Sequence, residues 1–195
     1  MGTEFVTVKG EKYYVDNDFL DLSEMEIEDI SDIKGLEGFI YLKHLNLSYN
    51  QIKEIKGLGH LINLERLDLS WNKIEEIKGL EPVTNLKLLR LGSNQIEKIQ
   101  GLETLSNLEY LYLGGNQIKE VKGLDTLKNL HLIDLNGNQI EEIKGLEMLT
   151  NLQIKNLQGN PIRSDEKDLI GKGLENVLEV VKYCQDKASK AKEGN

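Results

Sequence analysis

Residues 108–129 read LEYLYLGGNQIKEVKGLDTLKN, and this segment is one copy of a repeat from which most of the chain is built. A shift of 22 residues in either direction brings back the same pattern, L-x-x-L-x-L-x-x-N-x-I-x-x-I-x-G-L-x-x-L-x-N. A period of this length is typical of stacked structural repeats. The sequence therefore predicts a solenoid. One asparagine marks each copy: Asn50, Asn72, Asn94, Asn116, Asn138 and Asn160.

Two spacings inside the repeat predict two kinds of backbone. Leu111 and Leu113 alternate with Tyr110 and Tyr112, which is typical of a short strand with one buried face. One unit cannot bury its apolar residues alone, so the units are expected to stack, with parallel strands ~4.8 Å apart, into a right-handed, curved coil. After the strand, apolar residues recur at every third position, as in a tight 3₁₀-like path: Ile118, Val121, Leu124 and Leu127.

Asn116 and Gly123 stand where the chain must change direction. The amide of Asn116 can both donate to and accept from backbone groups that would otherwise be buried without partners. Gly123 lets the backbone bend. Stacked copies are therefore expected to form an asparagine ladder.

The phrases NQIKEVKGLDTLKN, NQIEKIQGLETLSN and NQIEEIKGLEMLTN resemble the 22-residue leucine-rich repeats of the phosphatase-1 regulatory subunit and of internalins. The resemblance covers about residues 18–163. It implies an α/β solenoid with parallel strands on the concave face and 3₁₀-like turns on the convex face. For the phosphatase-1 regulatory family it also implies a protein partner held on the concave face by aromatic and acidic side chains. Residues of these types here are Trp71, Tyr110, Tyr112, Asp68 and Asp134, whereas Arg66 and Arg90 depart from an acidic face, so the specific partner does not carry over.

Both ends of the chain depart from the repeat and are predicted to be caps. Residues 3–15 contain two β-rich runs around Lys9 and Gly10, which favours a small hairpin. The first repeat is longer than the others, and an extra tight turn is expected at residues 30–33. The predicted division is a hairpin cap at 1–19, repeats at 20–163, and a helical cap with a polar tail at 164–195, all in one folded unit.

The C-terminal cap is predicted to contain two helices. Ser164, Asp165 and Glu166 favour a helix start, with a short helix over 165–171, a break at 171–173 and a longer helix over 174–188. The remaining tail is polar and expected to be frayed. The apolar face that closes the solenoid is expected to consist of Leu174, Val177, Leu178, Val181 and Cys184.

Lys155 takes the place that Leu111 holds in its own repeat. A bare buried ammonium is very unfavourable. We therefore expect its stem to lie along the last repeat and its charge to reach water or a cap carboxylate, Glu175 or Glu179.

Composition limits the class of protein. The 195 residues carry a formal net charge of −9, which argues against nucleic-acid binding because that needs clustered Lys and Arg. Cys184 is the only cysteine, so no internal disulfide can form and a reducing compartment is expected. No apolar run is long enough for a membrane span, and the segment MGTEFVTVKG lacks the features of a secretory signal. We expect a cytoplasmic protein that is monomeric on its own and does not bind membranes.

The residues that differ between copies lie on the predicted outward face of the strands. The column before the second leucine holds His44, Arg66, Leu88, Tyr110, Leu132 and Ile154, and the next holds Asn46, Asp68, Arg90, Tyr112, Asp134 and Asn156. The column before the marker asparagine begins with Tyr49 and Trp71 and then shrinks to Ser93, Gly115, Gly137 and Gly159. Apolar strips rimmed by polar groups are typical of partner sites, and Trp, Tyr and Arg dominate interface energetics. We expect a groove ~25 Å long, with partner contacts from Tyr49, Arg66, Asp68, Trp71, Leu88, Arg90, Tyr110, Tyr112, Leu132, Asp134 and Ile154.

Two simpler explanations of these columns stay open. The preference of Tyr, Leu and Ile for strands can by itself place them on a strand surface. Gly115, Gly137 and Gly159 either ease the corner or leave space for the backbone of a partner.

No combination of residues predicts catalysis. His44, His60 and His131 are scattered and expected to be solvated, and Cys184 is expected to pack in the cap helix. Glu75–Glu76 and Glu141–Glu142 are expected to be solvated charge on the convex flank. We expect no cofactor and no metal. The sequence favours a non-catalytic module for protein–protein interaction, as a regulatory or scaffold subunit. The alternative is a structural spacer or targeting module with an inert concave face, which contacts partners through the C-terminal cap.

Overall fold

The computed structural model describes residues 4–169 and 177–193. The strands are β1 (Phe5–Val8), β2 (Glu11–Tyr14), β3 (Phe19–Asp21), β4 (His44–Asn46), β5 (Arg66–Asp68), β6 (Leu88–Arg90), β7 (Tyr110–Tyr112), β8 (Leu132–Asp134) and β9 (Ile154–Asn156). Helix α1 spans Val177–Glu193, and 3₁₀ helices span Ile30–Asp32, Leu36–Gly38 and Ser164–Leu169.

Strands β3 to β9 form one parallel sheet in chain order, as the repeat predicts. The registers align Leu45 with Leu67, and Leu89 with Leu111. Each of these leucines is at most 2% exposed, because only the central residue of a three-residue strand points into the coil. The sheet has seven strands, so the concave floor is ~29 Å long at six strand spacings, somewhat longer than expected.

The return path is 3₁₀-like only in its second half. There the amide of Leu61 donates to the carbonyl of Leu58 over 2.9 Å, and that of Leu64 donates to Leu61 over 3.0 Å. In the first half, the amide of Lys73 donates instead to the carbonyl of Ile52 in the preceding repeat, over 2.9 Å. Bonds between repeats thus satisfy the backbone where bonds within a turn do not.

The marker asparagines form the predicted ladder. The side-chain nitrogen of Asn94 donates to the carbonyl of Leu69 in the preceding repeat and to that of Leu91 in its own, both over 3.0 Å. Its oxygen accepts from the amide of Ile74 over 3.0 Å. Asn94 is 8% exposed, so each such side chain pairs three backbone groups that water does not reach.

A second asparagine ladder, which the repeat pattern alone did not lead us to expect, lies on the surface. The side-chain nitrogen of Asn107 donates to the carbonyl of Thr84 over 3.0 Å. The sequence did contain a signal for this ladder, because asparagine is the last residue of the 22-residue repeat pattern. The other members, which bond in the same way, are Asn63, Asn85, Asn129 and Asn151.

The N-terminal hairpin has the predicted form. β1 and β2 are antiparallel around Lys9 and Gly10, and Val6 and Val8 are buried in the common core. The 3₁₀ helix Ile30–Asp32 is the extra turn expected in the long first repeat. Val6 and Val8 extend the core beyond the first repeat, so the hairpin closes that end of the coil.

The C-terminal cap differs from expectation in two places. A 3₁₀ helix occupies Ser164–Leu169, where a short helix over 165–171 was expected. Helix α1 runs to Glu193, so the expectation of a frayed tail from Ala188 is wrong. The hydroxyl of Ser189 donates to the carbonyl of Gln185 over 3.0 Å, and Ala and Lys are good helix formers.

The apolar face of α1 closes the core with Val180, Val181 and Cys184, all buried. The expected break at 171–173, Leu174, and the side chains of Val177 and Leu178 lie outside the described residues. So does the side chain of Lys155, whose backbone is in β9.

Glu166 joins the cap to the last repeats. It is 1% exposed. One oxygen, Oε2, accepts from the amide of Ile143 over 2.7 Å, and Oε1 accepts from the hydroxyl of Tyr183 over 2.7 Å and from Nζ of Lys187 over 2.8 Å. Burial raises the pKa of this carboxyl, but these hydrogen bonds more than offset it, so the pKa lies below its ordinary value.

Lys187 also contacts Glu142 at 2.6 Å. Hydrogen bonds from Lys187 and Lys144 lower the pKa of Glu142 to about 2. The expectation that Glu142 is merely solvated charge is therefore wrong, since it is part of the cap contact.

Candidate partner-binding face

The first column of outward residues lies along the floor of the concave face. Arg66 and Tyr110 are exposed, whereas His44, Leu88 and Leu132 are half-buried by their neighbours in adjacent strands. Ile154 is aligned with Leu132 in the register, and its side chain lies outside the described residues.

Phe19 extends this column at its N-terminal end and was not among the contacts expected from the sequence. It pairs with His44 in the sheet and is 40% exposed. The signal was available, because Phe19 precedes Leu20, and Leu20 and Leu22 repeat the spacing of Leu45 and Leu47.

Residues of the second column also serve the turn that follows each strand. Oδ1 of Asp68 accepts from the amide of Ser70 over 2.9 Å, and Oδ1 of Asp134 accepts from the amide of Asn136 over 3.1 Å. A short acidic or amide side chain at this position thus stabilises the corner. Asp68 and Asp134 have a structural role, whatever else they contact.

Arg90 lies between two side chains of its own column. Its Nη1 is 3.3 Å from Oδ2 of Asp68, and its guanidinium carbon is 5.4 Å from the ring centre of Tyr112. The carboxylate of Asp68 therefore forms an ion pair with Arg90 in addition to its hydrogen bond from the amide of Ser70.

Tyr49 and Trp71 form a stacked pair at the edge of the concave face. Their ring centres are 5.4 Å apart with planes inclined by 6°, and the residues are 52% and 55% exposed. Both have left-handed backbone, with φ of 56° and 58°. For a bulky residue this conformation costs about 1–2 kcal/mol. The fold does not need these side chains, because later repeats make the same corner without them.

The later repeats place Ser93 and then glycine at this corner, also at positive φ. The left-handed conformation is a sufficient reason for Gly115, Gly137 and Gly159, which favours the first of the two explanations given for them. Tyr49 and Trp71 have the same strained backbone conformation but carry large aromatic rings that are exposed.

A shallow depression of about 350 Å³ lies at the N-terminal end of the floor. Its lining combines aromatic and aliphatic side chains with charged groups of both signs: Phe19, His44, Arg66, Asp68, Leu88 and Arg90. Arg66 is exposed and makes no ion pair or side-chain hydrogen bond with the residues that the structure describes. It is therefore available to a partner.

The histidines do not assemble a reactive site. Nε2 of His60 is 3.0 Å from the carbonyl oxygen of Leu36. Nδ1 of His131 is buried and has no hydrogen-bond partner in the described part of the chain. The expectation of solvated histidines is wrong for these two, because neighbouring repeats cover them. His44 is half-buried, with Nδ1 3.9 Å from Oδ1 of Asp18.

Cys184 packs in the cap helix as expected and is 2% exposed. Burial raises the pKa of its thiol to about 11, which disfavours the reactive thiolate. Within residues 4–169 and 177–193, no three His, Cys, Asp or Glu side chains are placed to hold a metal ion. Over the same ranges, no helix has both the length and the apolar character needed to cross a membrane.

Comparison with known proteins gives a consistent result. A family model described as leucine-rich repeats (two copies) matches residues 42–82 and 84–126. The crystal structure of an internalin, InlF, from Listeria monocytogenes is similar, with 32% identity and a TM-score of 0.67, over 75% of this chain and 43% of that one. The chain thus spans less than half of the length of InlF.

Two further structures from Listeria monocytogenes are similar. Internalin C2 has 28% identity and a TM-score of 0.58, over 75% of this chain and 74% of that one. The functional domain of InlJ, which includes a cysteine ladder, has 23% identity and a TM-score of 0.60, over 73% of this chain and 30% of that one, and shows the fold alone. No match was found among curated proteins.

Proposed function

Because the chain is a leucine-rich-repeat protein whose 22-residue repeats are of the internalin type, we propose that it is a non-catalytic module that binds a protein or peptide partner on its concave face. Leucine-rich repeats and internalin-like neighbours support an interaction module in general. The use of the concave face, a regulatory or scaffold role, the monomeric state and the cytoplasmic location are our proposals.

The Tyr49–Trp71 pair is the observation that carries this proposal. Backbone strain combined with exposure points to function, because these two bulky rings stand at a corner that three later repeats make with glycine. Large, rigid aromatic rings give much contact area for little lost side-chain freedom, which is why they are frequent at interface hot spots. The exposed ring of Tyr110 and the half-buried Leu88 and Leu132 continue an aromatic and aliphatic strip along the floor.

The alternative of binding through the C-terminal cap has less support. Tyr183, Lys187 and Glu166 bond to one another, and Val180 and Cys184 are buried against the last repeats. These cap side chains are engaged inside the protein.

A double variant, Tyr49→Gly with Trp71→Gly, tests the proposal. Glycine is the residue that later repeats use at this corner, so the fold tolerates it. Relief of about 1–2 kcal/mol of strain at each site offsets the loss of about 0.5–1.5 kcal/mol of stacking and some packing. We expect the free energy of unfolding, measured by urea denaturation with circular dichroism, to stay within about 1–2 kcal/mol of wild type.

The binding probe is a set of peptides selected from a random-peptide phage library on the wild-type protein. We expect their affinity for the double variant to fall at least about tenfold, because each aromatic hot spot contributes about 2 kcal/mol or more. The matched control is Tyr14→Ser, which removes a 57% exposed aromatic ring on the hairpin. Unchanged binding by the double variant, together with lost binding by Lys182→Glu on the exposed side of α1, would favour the cap instead.

A further inference from the structure

Arg66 is the feature of the concave floor that the fold does not explain. It begins β5, is exposed, and has His44 and Leu88 as its neighbours in the register. The nearby cations Lys43 and Lys87 have carboxylates at hand, with Nζ of Lys87 3.0 Å from Glu65 and Nζ of Lys43 3.7 Å from Asp18.

The carboxylate on the same strand, that of Asp68, cannot serve Arg66 fully. Oδ1 of Asp68 accepts from the amide of Ser70, and Oδ2 faces Nη1 of Arg90. Two guanidinium groups and one already paired carboxylate therefore line the depression, within a chain whose net charge is −9. The lining of the depression thus carries one more cationic group than carboxylates, in contrast to the molecule as a whole.

On the premise of the proposed function, we infer that the partner is a peptide segment with an Asp or Glu side chain, whose carboxylate binds Arg66. A guanidinium donates two parallel hydrogen bonds to a carboxylate, which gives direction as well as affinity. The half-buried imidazole of His44 lies beside it.

The register also sets the spacing of a second, apolar contact. Tyr110 lies two strands beyond Arg66 in the same column, a separation of ~10 Å along the floor. An extended peptide that crosses the strands covers this distance in about three residues. The segment is therefore an acidic residue followed or preceded, about three residues away, by a large apolar residue that packs on Leu88 and Tyr110.

This inference runs against the total charge. A chain with a net charge of −9 attracts basic peptides and repels acidic ones at long range. A preference for acidic peptides can therefore come only from a local cationic site, which makes it a discriminating result.

Two pools of fluorescein-labelled synthetic peptides test the inference. Both pools have Leu, Phe or Tyr at one fixed position, and three residues away one pool has Asp or Glu and the other Lys or Arg. Binding to the full chain is measured by fluorescence anisotropy, and Trp71, the only tryptophan, reports binding near the floor by its own emission. The variants are Arg66→Gln and, as the matched control, Arg163→Gln, which removes an arginine with a side chain that is 59% exposed and 3.4 Å from Asp165.

We expect the acidic pool to bind more tightly than the basic pool. Arg66→Gln should weaken the acidic pool by about tenfold to a hundredfold, the loss of a charge-assisted hydrogen bond, and Arg163→Gln should not. Equal or tighter binding of the basic pool, no effect of Arg66→Gln, or no binding of either pool overturns the inference.

The double glycine variant of Tyr49 and Trp71 separates this inference from its premise. Suppose that both pools bind with similar affinity, that the double glycine variant weakens both, and that Arg66→Gln weakens neither. The concave face then binds partners, and the inference about the carboxylate is wrong. If acidic peptides need Arg66 but bind the double glycine variant normally, the carboxylate site stands and the role of the aromatic pair falls.

Discussion

At the residue before each marker asparagine, one backbone conformation recurs whatever the side chain. Tyr49, Trp71 and Ser93 have φ between 55° and 58°, and Gly115 has φ of 70°. The coil therefore needs a left-handed corner there and leaves the choice of residue to other demands. This separation between what the backbone requires and what the side chain offers makes Tyr49 and Trp71 informative.

A different glycine column depends on the space around it as well as on φ. Gly145 has φ of 77°, and a methyl group there would overlap the carbonyl of Val121 in the preceding repeat. Gly10 in the hairpin turn has φ of 89°, and a methyl group there would have no other atom within 4 Å in the described part of the chain. Alanine at either site would have a strained left-handed backbone, but only alanine at position 145 would also clash with a neighbouring carbonyl.

We expect Gly145→Ala to destabilise the protein by at least about 2 kcal/mol more than Gly10→Ala, because overpacking against backbone adds to left-handed strain. Urea denaturation of both variants measures the difference. Equal unfolding midpoints would show that the repeats can move apart at Gly145 without loss.

At the scale of the repeated element, the two asparagine ladders use the same kind of hydrogen bond, but the inner ladder is buried and the outer ladder is exposed to water. Asn116 in the inner ladder is 6% exposed and donates to the carbonyls of Leu91 and Leu113 over 3.0 and 2.9 Å. Asn107 in the outer ladder donates to Thr84 from an exposed position. Water can replace the outer bond but not the inner ones.

Asn116→Ala is expected to cost about 2 kcal/mol or more, because it leaves the buried amide of Ile96 without a partner and removes one of the two side-chain donors at the carbonyls of Leu91 and Leu113. Asn107→Ala should cost less than about 1 kcal/mol. The free energy of unfolding of each variant, measured in urea, tests the contrast. Similar losses for both would mean that water enters the corner of the repeat.

On the scale of the whole molecule, the coil is one continuous core closed at both ends. Buried apolar residues extend without interruption from Val6 in the hairpin to Cys184 in α1. In a repeat stack each unit contacts only its neighbours, so the ends limit stability. The C-terminal end is closed by charge as well as by apolar packing, through Glu142, Glu166 and Lys187.

Because charged groups close the C-terminal end, the free energy of unfolding depends on pH in the acidic range. The pKa values of Glu166 and Glu142 lie below the ordinary value of 4.5 in the folded protein, that of Glu142 at about 2. Between about pH 4.5 and 2 the unfolded chain therefore binds more protons than the folded one, and stability falls as the pH falls through this window. Above pH 4.5 the contribution is fully present.

Glu166→Gln should lower the free energy of unfolding by about 2 kcal/mol at pH 7 and flatten its decline below pH 4.5, the ordinary pKa of this carboxyl. Chemical denaturation at a series of pH values measures both effects. Glu75→Gln, at an exposed position on a middle repeat, is the control and should leave the pH dependence unchanged. If the free energy of unfolding of Glu166→Gln fell with pH as steeply as that of the wild type, Glu166 would not contribute to the pH dependence.

The sequence by itself determined the coil, because the interactions that build it are repeated. Period-two leucines, apolar residues at every third position and one asparagine per turn each specify a local bond or a buried face, and copies made 22 residues apart can only stack. The parallel order of β3 to β9 and the inner ladder followed directly. The outward columns were readable for the same reason, since they are the positions that the repeat leaves free.

Only the tertiary structure decided the features that depend on contacts between unlike segments. The burial of Glu166 beneath α1 and the strain and stacking of Tyr49 and Trp71 follow from distances that no spacing in one sequence encodes. The same holds for Arg66, which has no counter-charge among the residues that the structure describes. Local periodicity specifies which face of a segment is buried, whereas the counter-charges and partners of a side chain are set by the neighbours that folding brings to it.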